Sequence, residues 1–170
     1  KLKEPILTDH ELEKVRNLDL PDFKSTTLST LFPANGGAGA LERALEELCR
    51  QASSAVEAGY AIILLSDRGA DRDHIPIPSL LAVSALHHHL IREGTRVKVG
   101  IVLESGEPRE THHFAALIGY GAGAINPYLA LETIAGLVNN ADISGGLTIE
   151  KAQQNYFKAL PKGVAKVMSK

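Results

Sequence analysis

The sequence has no tryptophan, one methionine and one cysteine, Cys49, and only 5% of it is aromatic. A lone cysteine excludes an internal disulfide framework and makes a reducing compartment the default. The scarcity of flat side chains argues against stacking platforms for single-stranded nucleic acid. Charge of one sign is missing too: 18 Lys and Arg face 20 Asp and Glu, for a net charge of -2. No basic excess speaks for nucleic acid, and no like-charge block speaks for an interaction tail. The longest apolar runs are broken within a few residues by Asp, Arg or His, so nothing is expected to span a membrane. Residues 1–20 carry Glu4, Asp9, Glu11, Glu13 and Asp19. That is too acidic for a transit peptide, and there is no apolar stretch for secretion. Repeats, heptads and low-complexity tracts are absent as well.

What remains suits one folded domain. Hydrophobic residues make up 44% and charged residues 22%, ordinary for a packed core and wrong for disorder. A chain of 170 residues buries a core without staples. It falls short of the ~250 residues of a complete (β/α)8 barrel. Lys1 in place of Met reads as a cut or processed piece of a longer chain.

Thr8, followed three residues later by Glu11, has the form of a capping box. It predicts a short helix from Asp9 with Leu12, Val15 and Leu18 on one edge, ended by Pro21. Thr26 to Phe32 reads as a strand stopped by Pro33, and the glycine loop 35–39 leads into a helix over Leu41 to Val56. Gly59 stands at its C-cap. Tyr60 to Leu65 and Val97 to Leu103 are continuous apolar runs, as expected of strands buried on both faces. Between them a helix starts at Ser79 and stops at Gly94. A fourth helix runs from Pro108 to Ile118, and Ala122 to Ile125 makes a short fourth strand. Asn126 and Pro127 open a helix to about Val138. A last helical region runs from Thr148 through Lys166, kinked or divided at Pro161. The predicted class is α/β: about four βα units with a parallel sheet, open or half-barrel-like, and a C-terminal helical tail.

Ligand sites in parallel α/β folds form at the carboxyl ends of the strands. Those ends carry Asp67 and Arg68, then Glu104 and Glu107, with His112 and His113 shortly after, and Asn126. Asp67, Glu104, His112 and His113 make a candidate metal or acid–base set. The alternative is that they cap helices, pair with each other or contact a neighbouring domain. His87, His88 and His89 are consecutive, and on a helix three in a row do not converge on one ion. Gly36, Gly37 and Gly39 precede a helix and offer a weak phosphate site without the ending of a P-loop. Cys49 falls on an apolar helix face and reads as a core residue.

Four longer runs decide more: SDRG (66–69), IPIPSLLAVSALHHHL (75–90), HHFAALIGYGAGAINPYLALET (112–133) and NYFKALPKGVAKVMSK (155–170). Together they resemble the central domain of the large subunit of glutamate synthase, where it runs into the FMN-binding barrel. The resemblance covers nearly the whole chain. It implies a parent that converts glutamine and 2-oxoglutarate into two glutamates. An N-terminal amidotransferase domain with a catalytic cysteine would release ammonia, and a later barrel with FMN and an iron–sulfur cluster would make and reduce the imine. The central domain between them is implied to be barrel-like, non-catalytic and part of the frame of an internal ammonia route. The implied layout is an N-terminal helical or linker segment (1–25), an α/β core (26–146) and a helical tail (147–170) leading toward the FMN barrel.

On this reading the partners are the adjacent amidotransferase and FMN domains of the same chain, in cytoplasm or plastid stroma. The fragment itself is expected to hold no catalytic residue and no cofactor. Cys49 does not match the amidotransferase nucleophile, and the cysteine set of a cluster is missing. Met168, Ser169 and Lys170 match the start of the flavin barrel and are the only residues with a flavin link. The strand-end residues become relic or interdomain contacts. The competing reading is a free-standing α/β enzyme that binds a metal or a phosphate ligand at the strand-end rim.

Overall fold

A computed structural model describes residues 4–143 and 145–170. Its centre is four parallel strands, β2 (Phe23–Ser29), β4 (Ile62–Ser66), β6 (Gly100–Glu104) and β7 (Ala124–Asn126), lying side by side in chain order. A two-residue strand, β1 (Asp19–Leu20), pairs antiparallel with β2 at one edge. Three helices make the crossovers: α2 (Ala40–Glu57), α3 (Ser79–Arg92) and α4 (Thr111–Gly119). After β7 come α5 (Tyr128–Asn139) and α6 (Ile149–Met168), while α1 (Asp9–Arg16) precedes the sheet. The predicted α/β class with a parallel sheet and a helical tail holds, and the sheet does not close into a barrel.

The alternation within each strand explains the layers. Ile63, Leu65, Ile101, Leu103 and Ile125 face one way and pack with Leu48, Leu86, Phe114 and Leu160 from α2, α3, α4 and α6. The intervening Leu64, Val102 and Ala124 face the other way and pack with Leu7 and Leu12. Sequential strands with right-handed crossovers place the helices on one face. That leaves the second face open, and the N-terminal segment covers it.

This segment runs as a strap from edge to edge. At the β7 edge, Leu7 N–H donates to Ile125 O and Ile125 N–H to Pro5 O, both at 2.8 Å. Then α1 crosses the face, started by the predicted capping box of Thr8 and Glu11. At the far edge the chain turns into β1 and pairs with β2. Both edges of the parallel sheet are therefore partly covered, which blunts further strand pairing.

Several elements differ from the sequence expectation. The strand expected over Thr26 to Phe32 is two: β2, and β3 (Leu31–Pro33), which pairs antiparallel with β5 (His74–Pro76). Thr30 makes the break, since its N–H and its hydroxyl both donate to Ser66 O while its carbonyl accepts from Ile77 N–H. Val97 does not belong to a strand. It lies in a 3₁₀ turn (Arg96–Lys98), and β6 starts three residues later. Asn126 is the last residue of β7 and sends no side-chain bond to the next helix. Pro161 lies inside α6, which is a single element through it. Leu160 and Val164, on either side of the proline, are both buried against the core.

Candidate functional site

Register builds the site. Ser29, Ser66, Glu104 and Asn126 are aligned across the four carboxyl ends of the sheet. Each of the last three stands two residues beyond Leu64, Val102 or Ala124, so all three share the face that α1 covers. Apolar side chains thus give way to a polar row at the rim. A cleft of about 520 Å³ opens there, lined by Asp9, Glu13, Glu104 and Glu132 and by Arg16 and Arg68.

Glu104 is its centre and is only 2% exposed. Its Oε2 accepts from Arg16 Nη2 at 2.8 Å and from the Ser66 hydroxyl, and its Oε1 accepts from Arg68 Nε at 2.8 Å. Burial alone would raise its pKa, but the Ser66 hydroxyl, Arg16 and Arg68 outweigh it and hold the carboxyl below its ordinary value. Arg16 is positioned from behind by Glu13 at 2.9 Å, and Arg68 by Glu132 at 3.0 Å. The Arg68 guanidinium also stacks 4.1 Å over the centre of the Tyr128 ring.

Asp67 forms a second buried knot beside the first. It accepts from Ser105 Oγ at 2.6 Å and from Gly106 N–H at 3.1 Å. Burial pushes its pKa up, against those donors, and pushes the Tyr128 hydroxyl up as well, with the Asp67 charge second. Asn126, fully buried, donates to Leu7 O at 3.1 Å and to Asp9 Oδ1 at 2.8 Å. Its Oδ1 has no partner among the described residues. The rim therefore spends its charged groups on tying loops and the strap together. Among the described residues every charged group that lines the cleft has an internal partner: Asp9 accepts from Asn126, Glu13 and Glu104 pair with Arg16, and Glu104 and Glu132 pair with Arg68.

Residues 1–170 match the glutamate synthase central domain along their whole length. The chain is 45% identical over 170 residues to the glutamate synthase [NADPH] large chain of Bacillus subtilis. The chain belongs to the glutamate synthase central domain family. It is also 40% identical over 168 residues to the NADH glutamate synthase of Schizosaccharomyces pombe. Against the chloroplastic ferredoxin-dependent glutamate synthase of Oryza sativa subsp. japonica it is 41% identical over 181 residues. The chain is all but fully covered in each case, yet it spans only 11%, 8% and 11% of those proteins.

In this central domain the candidate metal set does not come together. Asp67 and Glu104 sit at the rim, whereas His112 and His113 lie in the first turn of α4. There His113 Nδ1 accepts from Arg109 N–H at 3.1 Å and its Nε2 lies 3.6 Å from Glu110. Among the described residues no three His, Cys, Asp or Glu are grouped to hold a metal ion. Glu107 caps α3, accepting from Ser79 N–H at 3.0 Å and from its hydroxyl at 2.6 Å. The carbonyls of Gly36 and Ala38 accept from Arg43, which closes the glycine loop on its own helix. The three histidines of α3 diverge: His87 accepts from Arg96, His89 bonds Ser53, and His88 is exposed. Cys49 is half-buried, and burial raises its thiol pKa, which disfavours the thiolate a nucleophile needs. Met168 ends α6, and Ser169 and Lys170 follow it, all three exposed.

Sequence reasoning missed Arg16, Ser66, Tyr128 and Glu132. Arg16 carried no signal, because nothing in the pattern said that α1 crosses the sheet. Tyr128 and Glu132 did carry one. They are four residues apart at the start of a helix that follows a strand end, and that spacing puts both on one side.

Proposed function

We propose that this chain is a non-catalytic scaffold within a longer glutamate synthase polypeptide, between domains that release ammonia and domains that use it. The parent reaction would turn glutamine and 2-oxoglutarate into two glutamates, in cytoplasm or, for relatives such as the rice protein, in plastids. The observation that carries this reading is Glu104. It occupies the strand-end position where a parallel α/β enzyme keeps its chemistry, and it is buried under Arg16, Arg68 and Ser66 with both oxygens taken. A carboxylate held ionised by two guanidiniums neither gives nor takes a proton near neutral pH.

The residues of this chain do not fit the parent's redox groups. An iron–sulfur cluster takes several thiolates, and Cys49 is alone. Lys170 lines an open groove with Thr111 and Lys166 in which no lining residue is buried, and Met168 and Ser169 are exposed outside it, so no buried polar group is there to orient a flavin. The layout of linker (1–25), α/β core (26–146) and tail (147–170) is proposed with one addition: the strap packs into the core, since Leu7 and Leu12 are each 1% exposed.

The test is Glu104→Gln in the full-length enzyme. Loss of a general acid or base costs about 10²–10⁴-fold in rate. Turnover per folded molecule is expected to stay within about threefold of the parent, well short of that loss. A hundredfold drop in kcat in a folded variant would overturn the scaffold reading.

A further inference from the structure

The amino ends of the strands, opposite the rim, carry an apolar cluster without cover. Val97 is 95% exposed, and Ile91 and Tyr120 are each 49% exposed. They surround one rigid knot. Arg96 donates through Nε to His87 Nδ1 at 2.9 Å, through Nη1 to Val99 O at 2.7 Å and through Nη2 to Gly121 O at 2.9 Å. Val97 follows Arg96, Tyr120 precedes Gly121, and Ile91 lies one helical turn beyond His87. Gly121 takes φ +115°, and a Cβ there would overlap the His87 ring. The knot thus admits no side chain at that position, and it holds the 3₁₀ turn so that Val97 points away from the domain's own core.

A valine follows a strand pattern in the sequence, yet here it gains nothing from its own domain. Rigid, clustered apolar side chains on a surface mark a contact. The chain is 8–12% of the length of its relatives, so nine-tenths of such a polypeptide lies outside it and is tethered at high effective concentration. We infer that Ile91, Val97 and Tyr120 form an interdomain contact, covered by an apolar surface of the same polypeptide. This rests on the scaffold reading and adds to it the face that is used.

The inference is tested by hydroxyl-radical footprinting of the full-length enzyme. Tyr120 is expected to be oxidised roughly fivefold more slowly than its exposure in this domain allows, because an interface excludes water. Val97→Lys should restore that reactivity. Since Val97 is almost wholly exposed, the lysine leaves the core of this domain untouched, and the effect reports the contact alone. Tyr120 reacting as an open tyrosine overturns the inference. If Met168 is then protected, the scaffold reading survives, and if both are open it falls too. Protection of Tyr120 that grows with protein concentration would assign the patch to a second copy, and the inference would also fail.

Discussion

Glu104 and Asp67 are neighbours at the rim whose pKa values move in opposite directions. The folded-state pKa of Glu104 is lowered, so the stability it contributes is present above its ordinary value of 4.5 and is lost as pH falls through the lowered one. The folded-state pKa of Asp67 is raised by burial, so its contribution is present below its ordinary 3.8 and is lost as pH rises through the raised one. Urea midpoints of Glu104→Gln measured from pH 3 to 6 should therefore fall less steeply toward acid than those of the parent. An unchanged slope would remove Glu104 from the acid limb. Glu104→Ala leaves two guanidiniums facing each other, and a loss of about 3 kcal/mol is expected from urea unfolding. His87 makes a separate prediction. Because Arg96 Nε–H donates to its Nδ1, the ring proton must sit on Nε2. Burial, Arg96 and His88 all lower its pKa. Nitrogen chemical shifts should show the neutral Nε2–H tautomer persisting below pH 6.5, and a protonated ring at that pH would contradict the knot.

Helix packing turns on small residues. A Cβ on Gly163 would collide with the hydroxyl of Thr111 where α6 crosses the start of α4. Both contacting atoms belong to helices anchored in the core by Val164 and Phe114, so neither gives way easily. Gly163→Ala should cost about 1–3 kcal/mol by overpacking. Adding Thr111→Gly should return part of that loss in thermal unfolding. A neutral Gly163→Ala would show that the two helices slide apart freely. By contrast, Gly37 and Gly39 have positive φ values in an exposed loop, and alanine there strains only the local turn.

Across the whole molecule the strap decides what the open sheet can do. An open sheet with its crossover helices on one side exposes one apolar face and two edges, and residues 5–20 cover that face and part of each edge with one continuous stretch of chain. Leu12 is its anchor against Leu64, Val102 and Ala124. Leu12→Ala is expected to cost about 3 kcal/mol. Removing residues 1–18 should leave a protein that binds a hydrophobic dye and self-associates in sedimentation, because Leu64 and Val102 are then uncovered. A truncated chain that stays monomeric and unfolds cooperatively would show that the sheet does not need its cover. The same strap explains the rim: Arg16 comes from α1, so the segment that shields the apolar face also neutralises Glu104.

Local chemistry made most of the elements readable from the residues. Thr8 and Glu11 had the form of a capping box, Gly59 and Gly94 stood past helix ends, and unbroken apolar runs marked β4 and β6 as strands buried on both faces. Those signals depend on a residue and its near neighbours, and with them came the α/β class, whereas the family came from the resemblance of four longer runs. Pairing across the chain was not readable. Only the folded sheet brings Ser66, Glu104 and Asn126 into one row and lays Arg16 over it, 88 positions from Glu104. Val97 marks the same boundary from the other side. Its residue type fits a strand, but three hydrogen bonds from Arg96, to His87, Val99 and Gly121, hold it in a turn that faces outward. Periodicity reports which side chains avoid water, whereas the partner each one meets is set by how the layers close on one another.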